Sequence, residues 1–509
     1  MMKRFLSLVL CLMLIAGIVP AFAEYEPHVS FTINAGHTNS EMDYTSDDLY
    51  KMISGKFNFD FEVYPVSKDA QKEKIITWVN GGTMPDSVTM RDFDYQMYVT
   101  WAEQGLLAPL PEGWEEKYPD LYSMVQTSGI YDQMKIDGLT YGIPHATFAR
   151  FSGMQGTVVS HLSVYYRKDW AEKLGITIGD TITLKDYEAY LKACIDNDMA
   201  GNGNTIGFTD DPDNLCNLFM LFSGVDHDGF RKVDGKYVWN FADPGVLKAI
   251  KLAREAYEMG VIDPDFYLNE SADATNKFTS GVAASMFINC AISSYMGYKS
   301  TFEESTGLKG SDCMAITTIA DEDGTPLGIQ TNNWWAVTMF RPEIAPETQE
   351  RLLAMMDWIC SEEGQLNVLV GIEGKDWEMA DGAVKVLPEA DGSYKATVDK
   401  YNSYNVFRTQ GILADDYSFI NPSNDQDVVA QVKQMYATRK QGKIILMDMD
   451  YEFFSSDNKA AYSLKLSDEV ARLVVTKDID VDAEWQKFID DNAGIWQPVV
   501  DDLNEAFCK

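Results

Sequence analysis

Alternating apolar and polar positions mark the first legible element: Val29-Ser30-Phe31-Thr32-Ile33-Asn34 reads as a strand that runs into a polar, glycine-containing loop. A helix is predicted after Ser67, carrying Ile75, Ile76 and Val79 and closing at Gly81-Gly82, where glycine supplies a left-handed cap. Asp86 to Met90 is the next predicted strand. Strand, loop, helix, strand is the grammar of an α/β domain with parallel strands, whose ligands bind at the loops beyond the strands' carboxyl ends.

Two later helices carry their own punctuation. Asp243-Pro244 makes an N-cap followed by proline in the first turn, with Leu247, Ile250 and Tyr257 along one face and Gly260 closing it. The second starts near Pro346, carries Leu352, Leu353, Met356, Ile359 and Cys360 on one stripe, and ends at Gly364. Stripes at this spacing face a core, so both helices read as scaffold. The chain shows no internal repeat and no Pro/Ser-rich linker, which points to lobes joined by crossing strands.

The N-terminus follows a different logic. Lys3 and Arg4 precede an uncharged apolar stretch from Phe5 to Val19, Pro20 breaks it, and Ala21-Phe22-Ala23 offers small residues where signal peptidase reads. Residues 1–23 are therefore expected to be a cleaved signal peptide, with Glu24 the mature N-terminus. Val9 and Leu10 stand before Cys11 where a lipoprotein signal has small residues, so no clear lipid anchor is expected. Whether an outer membrane confines the exported protein, a partner holds it or it diffuses freely stays open.

Removing that segment takes away two basic and no acidic side chains, so the formal charge of -36 becomes -38. So acidic a surface repels nucleic acid and anionic membranes, and nucleic-acid partners are excluded. With 509 residues, 46% of them hydrophobic, there is material for two lobes with their own cores. Cys194, Cys216, Cys290, Cys313, Cys360 and Cys508 are scattered without a CxxC pair, leaving zero to three disulfides open. His28, His37, His145, His161 and His227 have no zinc-ligand spacing.

Several phrases then read together. They are Asn80-Gly81-Gly82-Thr83-Met84-Pro85-Asp86, the stretch from Trp101 to Leu110, and Asp137-Gly138-Leu139-Thr140-Tyr141-Gly142-Ile143-Pro144. Arg167-Lys168-Asp169-Trp170, Gly260-Val261-Ile262-Asp263-Pro264 and Ser280 to Met286 follow. The most specific runs from Asp357-Trp358-Ile359 to Gly371-Ile372-Glu373-Gly374-Lys375-Asp376-Trp377-Glu378, and a helix over Trp485 to Phe507 ends the series. In order and spacing they resemble the large extracellular solute-binding proteins of ABC transporters for sugars and oligosaccharides, the LplA-like lipoprotein branch.

The resemblance implies an α/β fold, a two-lobed periplasmic-binding-protein-like type II clamshell with three inter-lobe crossings. The lobes are expected over 24–155 plus 330–400 and over 156–329 plus 401–509. It further implies a monomer that binds a carbohydrate and meets ABC transporter permease subunits. Relatives often carry a calcium loop after the first helix of the second lobe. Here that stretch reads Asp196-Asn197-Asp198-Met199-Ala200-Gly201-Asn202-Gly203-Asn204-Thr205, with Ala200 at a ligand position and no closing acidic residue. Asp196, Asp198 and Asn202 are the candidate calcium ligands, and a plain polar turn is the competing reading. No other cofactor is implied.

Sugars present hydroxyls to hydrogen-bond and C–H faces to stack, so their sites combine aromatic plates with polar side chains. Trp334 and Trp335, with Asn333 before them, sit at the expected return crossing. Adjacent strand residues face opposite ways, so one ring is expected to stack on ligand while the other packs. Glu373 and Trp377 stand in the glycine-punctuated segment, and Tyr141 and His145 flank the YGIP turn. Asp86 is expected to anchor its loop or touch ligand, and Arg167 to be structural, pairing with Asp169 or a neighbour. No catalytic residue is expected, because no carboxylate pair, GxSxG, HExxH, Walker A or dinucleotide glycine motif is recognisable. A secreted glycoside hydrolase, or a carbohydrate-binding protein without a transport role, is the alternative.

Overall fold

The computed structural model describes residues 25–508, apart from 37, 68–69, 92, 148–158, 226–228, 412–418, 420 and 422–423. The expected signal peptide lies outside these residues. Contacts divide the chain into two compact units, one taking Met1–Phe93, Trp101–Ala146 and Trp335–Leu413, the other Asp94–Thr100, Thr147–Trp334 and Ala414–Lys509. The expected lobe limit at 155/156 falls among the residues not described. The limit expected at 329/330 comes at 334/335, and the one expected at 400/401 comes at 413/414. Residues 401–410 stay with the first unit because the Tyr401 hydroxyl donates to Asp376 at 2.6 Å and the Gln410 amide donates to Thr89 at 3.2 Å.

The first unit is built on a five-stranded sheet in the order Phe59–Val63, Val29–Asn34, Ser87–Arg91, Trp334–Phe340, Gly142–Ala146. The Val29–Asn34 strand runs parallel to both its neighbours, and Trp334–Phe340 runs antiparallel to Ser87–Arg91. The predicted helix after Ser67 is observed over Gln71–Asn80, with Gly82 in the left-handed region at φ +65°. Pattern reading passed over the Asp48–Phe57 helix and the Phe59–Val63 strand, which follow one another across a single residue. Asn58 takes φ +51° there and its N–H donates back to Ser54, stopping the helix between two apolar runs that otherwise look continuous.

The Pro346 helix ends sooner than expected. Its stripe is buried as predicted, but it stops at Cys360. Ser361 then caps a second helix, Glu362–Leu369, by accepting from Gly364 N at 3.1 Å. A Cβ at Gly364 would lie 1.8 Å from the Trp358 carbonyl oxygen, so glycine serves close approach there and not termination.

The second unit has its own five-stranded sheet, ordered Thr181–Ile182, Met314–Ile319, Leu162–Arg167, Ala283–Asn289, Ile206–Phe208. The central Leu162–Arg167 strand is antiparallel to both neighbours, and each outer strand is parallel to the one beside it. The Pro244–Glu258 helix packs on the helices Pro212–Phe222 and Leu466–Val475 and is capped by Asp243 as expected, but its buried face is Val246, Ala249, Ile250, Ala253 and Ala256. Leu247 and Tyr257 are only half-buried at its border. The expected C-terminal helix is two, Val481–Asp491 and Ala493–Phe507, broken at Asn492. Arg167 is structural as read: it grips Asp169 through two bonds of 2.8 and 2.7 Å and lies 4.3 Å over the Trp170 ring. No described helix is long and apolar enough to cross a membrane.

Candidate functional site

Each unit carries its own set of half-buried aromatic and polar side chains, and consecutive residues Trp334 and Trp335 belong to different sets. In the first unit, the Trp335 ring stands edge to face with the His145 imidazole, centroids 5.6 Å apart at 71°. The Arg91 guanidinium lies 5.7 Å from the same ring. His145 also shares a 2.7 Å bond with the Thr338 hydroxyl. Trp335 and Thr338 are three positions apart, so a regular pleat would send them to opposite faces. Both nonetheless meet one imidazole. Burial pushes the His145 pKa down to about 3, with a backbone hydrogen bond at Gly411 acting the other way, so the ring is neutral.

In the second unit, Trp334 faces Phe453 at 6.5 Å, and Phe453 meets Tyr95 edge to face at 5.3 Å. Ser455 donates to the Gln96 side-chain oxygen beside them. The turn that presents Phe453 is tied by Lys459, whose ammonium donates to the carbonyls of Tyr451 at 2.6 Å and Phe454 at 2.9 Å. Asn333 contributes its carbonyl to Thr147 N at 3.2 Å. Sequence reasoning passed over Tyr95, Gln96, Phe453 and Ser455. The aromatic run Tyr451-Glu452-Phe453-Phe454 was the signal available for part of this set.

Three expected site residues prove to be internal supports. Asp86 accepts from Thr32 N and Thr32 Oγ1, both at 2.8 Å, and pairs with Arg341 at 2.9 Å, so it anchors its loop. His145 is fully buried in the sheet, against the Trp335 ring. Trp377 is 3% exposed, and its indole N–H donates to the Gly371 carbonyl at 2.6 Å. It offers no face to a sugar.

The whole glycine-punctuated segment is wound around buried Asp376, which accepts from Ile372 N at 2.7 Å and pairs with Lys400 at 3.2 Å. A Cβ at Gly371, where φ is +111°, would lie 2.5 Å from that carboxylate, so only glycine fits. Glu373 remains exposed, its N–H held by Asn367 at 3.0 Å, and Tyr141 is half-buried just before the Gly142–Ala146 strand.

The loop after the Leu184–Asp196 helix does not fit a calcium ion. Asp198 accepts from Thr205 Oγ1 and Gly203 N, each at 2.9 Å, and Asn202 accepts from Asn204 N at 2.8 Å. Asp196 is paired with Lys192, and the Ala200 N–H donates to Thr205 at 3.0 Å. Calcium takes six to eight oxygens, whereas here the oxygens are spent on the loop's own donors and one expected ligand position has no side-chain oxygen. Among the described residues no group of three or more His, Cys, Asp or Glu gathers as a metal site.

A profile of the family described as bacterial extracellular solute-binding protein matches residues 48–374. Among curated proteins, "Lipoprotein LipO" of Bacillus subtilis (strain 168) is 20% identical over 286 residues, covering 54% of this chain and 53% of its own length. The chain thus spans about half the length of that relative.

Solved structures align over nearly all of the chain. The alginate-binding protein AlgQ2, described as without calcium ion, has TM-score 0.69 at 16% identity and covers 96% of this chain and 100% of its own. The S. pneumoniae ABC-transporter substrate binding protein FusA, an EF-hand mutant in complex with fructo-nystose, has TM-score 0.69 at 16% identity over 94% and 98%. The N-glycan transport solute binding protein NgtS from Streptococcus pneumoniae follows with TM-score 0.60 at 15% identity over 94% and 98%. At these identities the likeness carries the fold, an α/β protein of the periplasmic-binding-protein type II class.

Proposed function

The chain belongs to the bacterial extracellular solute-binding proteins, and from that premise we propose that it captures a carbohydrate, an oligosaccharide, by closing its two units and passes it to the permease subunits of an ABC importer. The observation that carries the reading is the pair of consecutive tryptophans, each set into a different unit's half-buried aromatic cluster. Rings stack on the C–H faces of a sugar, while Arg91, Gln96, Ser455 and Asn333 supply polar atoms near them. The solved relatives named for alginate, fructo-nystose and N-glycan favour an oligosaccharide over a single sugar. Trp334, Trp335, Tyr141, Asn333 and Glu373 are the proposed contacts. In this reading the protein works as a monomer, uses no cofactor and turns nothing over.

Micromolar capture requires about -8 kcal/mol, within reach of two stacked rings and several hydrogen bonds. Calorimetry of the mature protein against mono- and oligosaccharides tests the proposal. Binding without product, weakened about tenfold or more by Trp334→Ala and by Trp335→Ala, is expected on the loss of about 1.5 kcal/mol per plate. Indifference to both substitutions, or release of reducing ends, overturns it.

A further inference from the structure

One face of the first unit's sheet carries a buried, hydrogen-bonded chain of side chains. Gln410 Nε2 donates to Thr89 Oγ1 at 3.2 Å, the Thr89 and Thr338 hydroxyls share a bond of 2.7 Å, and Thr338 Oγ1 lies 2.7 Å from His145 Nε2. All four residues are 0% exposed. Thr338 stands directly opposite Thr89 in the antiparallel register, so the sheet itself sets the central bond. Ser87 orients the Gln410 amide by donating to its oxygen at 3.4 Å.

An amide N–H only donates, so Thr89 accepts from Gln410; either hydroxyl can donate in the Thr89–Thr338 bond, and Thr338 donates to or accepts from His145 Nε2 according to the tautomer of the imidazole. Burial keeps that imidazole neutral. Each of the four residues lies a few positions from one of the limits at which the chain passes between the units, 93/94, 146/147, 334/335 or 413/414.

We infer that the relay Gln410, Thr89, Thr338, His145 is a positioning device for Trp335, holding the imidazole against the indole so that the ring stands ready in one orientation for a sugar face. His145 and Thr338 are positioning residues that touch no ligand. A ring fixed beforehand spares the ordering cost of binding, which is where the relay acts on affinity. The inference rests on the reading of Trp335 as a sugar plate.

Fluorine NMR of the mature chain labelled with 5-fluorotryptophan tests it, with the Trp335 signal assigned by its loss in Trp335→Phe. Thr338→Val keeps the shape and deletes the hydroxyl. It is expected to shift or broaden the Trp335 signal, leave the other tryptophan signals in place and weaken oligosaccharide binding about three- to tenfold. Thr338→Ser, which restores the hydroxyl, is expected to restore both. Should the valine variant fail to fold, Gln410→Met breaks the relay from its far end with the same expectation. A Trp335 signal of wild-type position and width in a folded relay variant overturns the inference. If Trp335→Ala leaves sugar binding intact, the plate reading falls, while the fluorine signal still decides whether the relay holds the ring.

Discussion

Trp377 donates its indole N–H to the carbonyl of Gly371 at 2.6 Å, closing a loop around the buried carboxylate of Asp376. The bond spans the most family-like stretch of the chain, and it makes that stretch a structural knot.

Trp377→Ala is accordingly expected to act on stability. Removing a buried indole and orphaning its acceptor costs about 3–5 kcal/mol, read as a lowered midpoint in urea unfolding. Sugar affinity of the folded fraction, measured by calorimetry, is expected to stay within about twofold of wild type. A selective loss of affinity at unchanged stability would return Trp377 to the site.

Arg439 supports the second unit in a similar way. Buried at 2% exposure, it donates to the carbonyls of Ser160 and Leu162, both at 2.6 Å, beside the parallel pair Leu327–Ile329 and Lys443–Ile445. Arg439→Ala empties the space and leaves two carbonyls without these donors, so a loss of about 3–5 kcal/mol is expected in denaturant unfolding. Arg439→Lys keeps the charge but lacks the planar fork that reaches two carbonyls, and it is expected to recover only part of that loss.

His145 makes stability depend on pH with a definite sign. Its folded pKa is pushed down to about 3, below the value of about 6.5 in an unfolded chain. The unfolded state therefore binds the extra proton in this window. Its contribution is present in full above about pH 6.5 and shrinks as pH falls toward about 3, by up to about 1.4 kcal/mol per unit. Unfolding curves between pH 4 and 7 are expected to show a shallower pH slope for His145→Gln than for wild type.

The loop over 196–205 predicts indifference to calcium. With Asp198 and Asn202 bonded to the loop's own donors, excess calcium or a chelator is expected to leave the melting temperature unchanged to within about 1 °C. A calcium-dependent rise of several degrees would show that those bonds open to admit the ion.

Much of the framework was legible because it depends on short-range rules. The strand at Val29–Asn34, the helix closed by Gly81-Gly82, the Asp243 cap and the stripe after Pro346 all follow from periodicity and end signals within a dozen residues. Where two elements abut across one residue, as at Asn58, or where a cap lies inside a continuous stripe, as at Ser361, periodicity alone carried no boundary.

The site was legible in type more than in place. Trp334 and Trp335 were legible as candidate plates on one strand, and the structure sets them into separate aromatic clusters. Trp377, His145 and Asp86 carry the right chemistry for a sugar site, yet their polar atoms are spent on Gly371, Thr338 and Thr32.

By itself, then, the amino-acid order determined the α/β class, the family and the kinds of side chain available for a ligand, since these reside in local pattern and in the serial order of motifs. The tertiary structure alone decided which of those side chains keep a free face. Burial and hydrogen-bond partners depend on residues such as Thr89 and Thr338, which lie 249 positions apart along the chain and meet only when the sheet forms.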